Sequence, residues 1–290
     1  MRSVFYIACL VALSFLTVTP VMAQSKPGPV QQPFAQDDAW AQVQKLDWKS
    51  GPTQGPIASV ATITVPQGST FLASAGTRRF LQLQGNLGSD GMYTFAPRDL
   101  RWFAVFAFDP DGYVRDDEKI DPDAFLEILK KGNVEDNEER KRRGLETLVL
   151  EDWSVVPHYD VQTKRLEWGT RIRAQSGGLV VNYTIRLLGR SGVMRATLLS
   201  DPTSLDQDVR EFKAALTGFD FNQGQKYSEF RSGDKVAEYG LAALIVGGAA
   251  AAAVKSGGFK AAKFLVFGVL GVAATAWAAI KNLFSRRRNA

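Results

Sequence analysis

Lys164–Gly218 reads KRLEWGTRIRAQSGGLVVNYTIRLLGRSGVMRATLLSDPTSLDQDVREFKAALTG. Lys164–Gln175 alternates: Leu166, Trp168, Thr170, Ile172 and Ala174 fall on one side, Arg165, Glu167, Arg171 and Arg173 on the other. That period of two is the mark of a strand with one buried face. Gly177-Gly178 turns the chain, and Leu179–Leu188 alternates again with Val181, Tyr183, Ile185 and Leu187 in phase. Gly189–Gly192 turns it once more into Val193–Ser200. Connections this short require an antiparallel meander. Asp201-Pro202 then predicts a helix start, with Leu205, Val209, Phe212 and Leu216 on one face and Gly218 as its stop.

Upstream, Leu148–Val156 predicts a further strand. Asp121-Pro122 is a second helix start, Asp as N-cap and Pro in the first turn. Gly132-Asn133 ends or breaks that helix, and Glu135–Arg143 continues as a charged, solvated helix closed by Gly144. Arg101–Phe108 is apolar in both phases, as a central strand covered on both sides must be, and the turn Asp109–Gly112 stops it. Ser74–Gln84 reads as a short helix, and Ser59–Pro66, the turn Pro66-Gln67-Gly68 and Ser69–Ser74 as a β-hairpin or a strand–turn–strand. Asp37–Trp48 reads equally as a short helix or as disordered spacer. The expected class is α+β: a mainly antiparallel sheet with a C-terminal meander, packed with about three helices, plus an apolar C-terminal membrane tail.

Both ends read as addresses. Met1–Ala23 has Arg2, an apolar run and a small-residue end, the build of a signal peptide, with an uncleaved anchor as the alternative. The expected organisation is signal 1–23, flexible lead-in 24–56, extracytoplasmic domain 57–232, and juxtamembrane segment with anchor 233–290. Two apolar runs, Tyr239–Val254 and Phe264–Ile280, flank a lysine-bearing break. At 16 and 17 residues, each is ~25 Å as helix, short of a bilayer core of roughly 30 Å. Extending the second run to Phe284 spans it, with Arg286, Arg287 and Arg288 inside; a hairpin of both runs leaves those arginines outside. Lys263, Trp277 and Lys281 join the three arginines as expected membrane contacts. Gly247 with Ala251 and Gly248 with Ala252 are small pairs four apart, suited to self-association in the bilayer.

The formal charge of +5 misleads. Arg2 and the seven basic residues from Lys255 onward account for eight positive charges, leaving residues 24–254 at −3. The basicity sits beside lipid, which removes nucleic acid as a partner. Cys9, the only cysteine, leaves with the signal, so no disulfide or thiolate chemistry is expected of the mature chain. One histidine is too few for an ordinary zinc site. The acidic turn from Asp109 places Gly112 and Ile120 where an EF-hand needs other residues. The glycine clusters lack phosphate-loop context, so no cofactor or metal is expected. His158 and Asp160 remain as a candidate base and orienter, in a turn after Pro157. Trp102, Trp153 and Trp168 are expected in the core.

Several strings, taken in order, resemble a known family. They are the Trp102 strand, Asp111–Asp117, Asn137–Arg140, Pro157–Asp160, Val181–Tyr183, Leu188–Arg190, Gly218–Asn222 and above all GDKVAEYGLAA at Gly233–Ala243. The chain resembles DUF2167, a bacterial family of membrane-anchored proteins of unknown function, from about Ile57 to its C-terminus. The resemblance implies a secreted protein anchored in the inner membrane with its domain on the periplasmic side. It implies no activity. The expected function is binding or scaffolding of an envelope partner at the lipid bilayer. The alternatives are an envelope enzyme using His158 and Asp160, and an oligomerising tail.

Overall fold

A computed structural model describes residues 36–86, 88–117 and 120–246. In chain order they form α1 (Gln36–Gln44), β1 (Lys49–Ser50), β2 (Thr53–Ile57), β3 (Ala61–Val65), β4 (Ser69–Leu72), α2 (Ser74–Leu83), β5 (Met92–Pro97) and β6 (Phe103–Asp109). Then follow α3 (Pro122–Arg142), β7 (Leu148–Asp160), β8 (Arg165–Ala174), β9 (Leu179–Leu188), β10 (Val193–Ser200), α4 (Leu205–Ala215) and β11 (Phe219–Phe221). The α+β class holds, with four α-helices among the described residues. Among the described residues no helix is long and apolar enough to cross a membrane.

Eight strands make one sheet in the order β1-β4-β5-β6-β10-β9-β8-β7, and β11-β3-β2 make a small second sheet. Every pairing of named strands is antiparallel. The meander is one strand longer than the three tightly turned strands suggest, because β7 pairs with β8 along its length. β6 lies inside the sheet between β5 and β10, as its two apolar faces require. On one face Ala104, Phe106, Tyr183, Ile185, Ala196 and Leu198 meet Phe212 and Leu216, from α4 and the turn after it, and Ile57, Ile63 and Val65 of the small sheet. On the other, Phe103, Val105 and Leu199 meet Phe80 and Leu81 of α2. Farther along that second face, Leu166, Trp168, Leu188 and Val193 meet Leu129 of α3 and residues of Tyr239–Val246.

Local signals and packing part company at four places. Asp37–Trp48 is a helix from residue 36, not a spacer. Its Val43 is buried with Leu72 and Phe80, so the packed body starts well before Ile57. Gly132-Asn133 does not break α3, which runs 21 residues from the Asp121 cap to Gly144 at φ +67°. Asp201 closes a turn by accepting from Thr203 N (2.8 Å), and the helix itself starts three residues past Pro202. Finally, the first apolar run begins as core. Leu241–Leu244 is a short 3-10 helix, and Leu241, Leu244, Ile245 and Val246 are each at most 3% exposed.

Candidate functional site

His158 lies on β7, opposite Glu167 of β8. Its Nε2 is 3.5 Å from the Glu167 carboxylate, and its Nδ1 is 3.4 Å from Val156 O. Asp160 does not orient it. That carboxylate accepts from the backbone N–H of Gln162 (2.8 Å) and Thr163 (3.2 Å) and so closes the β7–β8 turn. The Thr163 side chain first, then these backbone donors and the nearby Arg165, hold its pKa below the ordinary value.

Glu167, placed by the alternation on the polar side of its strand, is instead 4% exposed, because α4 covers that face. Its Oε2 accepts from the Tyr183 hydroxyl of β9 and is ion-paired with Lys213 Nζ of α4 (2.5 Å). Lys213 also lies 5.7 Å from the Tyr183 ring centroid. Burial and the neighbouring carboxylate push the Tyr183 hydroxyl far above its ordinary value, so it stays a proton donor. The side chains of His158 and Lys213 are 53% and 41% exposed. The result is a buried acid floored by a phenol and rimmed by an imidazole and an ammonium, a set able to hold or pass a proton. Among the described residues no three His, Cys, Asp or Glu side chains are grouped to hold a metal ion.

A second constellation binds the C-terminal segment to one end of the sheet. Arg190, in the β9–β10 turn, donates two hydrogen bonds of 2.7 Å to Asp234. Asp234 also accepts from Arg231 N (2.7 Å), and these donors pull its carboxyl down to about 2. Tyr113 N donates to Lys235 O (2.8 Å) and Ala237 N to Tyr113 O (2.9 Å), a short parallel bridge. Gly112 permits that approach: at φ +105°, an added Cβ would sit 2.7 Å from Lys235 O. The Tyr239 hydroxyl donates to Asp111. Asp116 accepts from Tyr159 (2.6 Å), Lys164 (2.7 Å) and Tyr227 (3.1 Å). Burial raises its carboxyl, but these donors outweigh burial and leave it below the ordinary value.

Asp111, Tyr113, Asp116, Tyr159, Arg190, Asp234 and Tyr239 come from four of the quoted strings, up to 128 residues apart. A family model described as "Protein of unknown function (DUF2167)" matches residues 49–278. The chain belongs to the DUF2167 family. The match runs through both constellations and past the last described residue. Among solved structures, the chain is similar to cyanobacterial PsbP (CyanoP) from Synechocystis sp. PCC 6803. That solution structure is 11% identical at a TM-score of 0.34, over 61% of this chain and 92% of that one. No curated protein matches.

In this DUF2167 member, the expected membrane residues Gly247, Gly248, Ala251, Ala252, Lys263, Trp277, Lys281, Arg286, Arg287 and Arg288 lie outside the described residues, as does the signal at 1–23. Sequence reasoning missed Glu167 and Lys213. The one signal for Glu167 was its place as the lone acid in a row of arginines on β8.

Proposed function

We propose that this protein is a tethered binding domain of the bacterial cell envelope, with its folded part on the extracytoplasmic side of the inner membrane. The observation that carries this reading is the burial of Tyr239–Val246. With those residues taken up as core, 247–254 leaves eight apolar or small residues before Lys255, too few to cross a bilayer. Phe264–Phe284 remains, 21 residues, or ~31 Å as helix. This favours a single crossing with Arg286–Arg288 on the cytoplasmic side. The packed core then runs to Val246, and 247–263 join it to the crossing segment.

A reporter that works only in the cytoplasm, fused after Ala290, tests the topology in the intact chain. Activity is expected, together with retention in the membrane pellet through alkaline carbonate. A silent reporter with retention means a hairpin, and release by carbonate removes the tether.

The His158–Glu167–Lys213–Tyr183 cluster supports a second reading, an envelope enzyme in which Glu167, not Asp160, orients His158. Turnover of a hydrolase or transferase substrate that disappears in both His158→Ala and Glu167→Gln supports it. Turnover that survives both substitutions ends it.

A further inference from the structure

Among the described residues, Val134, Val149, Val156, Val161, Phe230 and Val236 are the exposed large apolar side chains. Three of them gather at the end of the sheet where the C-terminal segment is bound. Tyr113 stacks on Tyr227 (4.3 Å between centroids), meets Phe230 in a tilted ring pair (4.1 Å), and bridges to Val236. Val161 is exposed in the β7–β8 turn at this end of the sheet. Its Lys164 reaches Asp116 and lies 5.5 Å over the Tyr227 ring.

The charges of this end are unevenly used. Asp116, Asp160 and Asp234 are taken by Lys164, by the turn backbone and by Arg190. Arg115, Arg231 and Lys235 stand exposed, beside the exposed acids Asp117 and Glu238. Aromatic rings, single aliphatic side chains and cations in one patch match the chemistry of a lipid headgroup layer.

We propose that this end of the domain rests on the bilayer surface. Val161, Phe230 and Val236 enter the interfacial layer, and Arg115, Arg231 and Lys235 meet anionic headgroups. This rests on the tether reading, which also names the occupant. The 44 residues beyond Val246 hold the Phe264–Phe284 run and seven cations with no acid, so a bilayer is always at hand. The 17 residues at 247–263 reach at most ~60 Å when extended, enough for any face of the domain to turn to the membrane. The patch decides which face does.

The test uses the full chain in phosphatidylcholine–phosphatidylglycerol vesicles. With Cys9→Ser removing the native thiol, single cysteines at Val161, Phe230, Val236 and Val149 take an environment-sensitive fluorophore. Quenching by brominated lipid is expected at the first three positions and not at Val149. Substituting Arg231→Glu with Lys235→Glu is expected to cut that quenching severalfold, as is raising the salt. Equal weak quenching at all four positions, in a chain that still sediments with vesicles, overturns the resting surface and spares the tether. A chain that fails to sediment overturns both. Shielding that needs no brominated lipid and fades on dilution of the protein assigns the patch to a second copy and overturns the proposal.

Discussion

Arg186 is a guanidinium shut away from water in the middle of the main sheet. It is 4% exposed, is held by Asp109 at 2.5 Å, and lies 5.9 Å from the Trp168 ring centroid. Burial lowers its pKa, and the charge of Asp109 opposes that shift. Asp109→Ala leaves this charge uncompensated. Urea unfolding is expected to show a loss of about 3 kcal/mol, the low end for a broken buried pair because Asp109 is itself partly open. Asp109→Asn with Arg186→Met removes both charges and should recover most of it. Asp136 on α3 supplies a second test. Burial raises its carboxyl to about 7 against a weak opposing pull from Arg140, and its Oδ2 has no partner. A carboxyl raised on folding contributes stability below about pH 4 that is lost as pH climbs through 7. Asp136→Asn should flatten that slope and exceed the parent in stability at pH 8, by on the order of 1–2 kcal/mol after screening. Such residues divide by how local their causes are. Asp121 capping α3 is legible because the cap and its donor, Ala124 N–H, lie within one turn. Glu167 is not, since only the covering of its face by α4 distinguishes it from Arg171 or Arg173 on the same strand.

At the scale of elements, α3 shields an open edge. β7 ends the main sheet, and its backbone at Leu148 and Leu150 has no neighbouring strand on the outer side. Two asparagines of α3 stand in for one. Asn133 donates to Leu148 O and accepts from Leu150 N, each at 2.9 Å, while Asn137 donates to Leu148 O and accepts from Leu148 N, each at 2.8 Å. Farther along, three register shifts against β8 distort the edge. Both devices discourage pairing with another chain. Asn133→Ala with Asn137→Ala should free the Leu148–Leu150 backbone, costing about 1–3 kcal/mol per buried group left without a partner. Concentration-dependent dimers in analytical ultracentrifugation are the expected sign; a less stable but strictly unchanged oligomeric state would contradict the shielding role. The same asparagine explains why α3 looked broken: Gly132-Asn133 is a poor helical pair, and its partner lies 15 residues on. Arg140 is hidden in the same way. In a run that reads as solvated, it is 5% exposed and donates to Glu146 O and Gly85 O. Its neighbours Glu138, Glu139, Lys141, Arg142 and Arg143 pair with one another at the surface, as a charged, solvated face allows. The meander and β6 were legible because period and short turns determine them. The small sheet was not: Phe219–Phe221 pairs with Ala61–Ile63, at the other end of the domain sequence.

For the molecule as a whole, the C-terminal segment is part of the body. Tyr239, Leu241, Leu244, Ile245 and Val246 are all buried, at roughly 1.5–3 kcal/mol for a fully buried large side chain. Together they are comparable to the entire net stability of a domain, about 5–15 kcal/mol. A chain ending at Phe230 should therefore be unfolded by circular dichroism and quickly proteolysed, whereas one ending at Val246 should give a cooperative melt. A folded product from the shorter chain would show that the segment is only laid on the surface. If the core does need Val246, the order of synthesis constrains the order of folding. Strands β1 to β10 leave the ribosome with part of one face, around Trp168 and Leu188, lacking its C-terminal cover, and the domain cannot close until its last folded residues have been made. On that condition a nascent chain exposes apolar surface, and with it an aggregation hazard, until Val246 has been made.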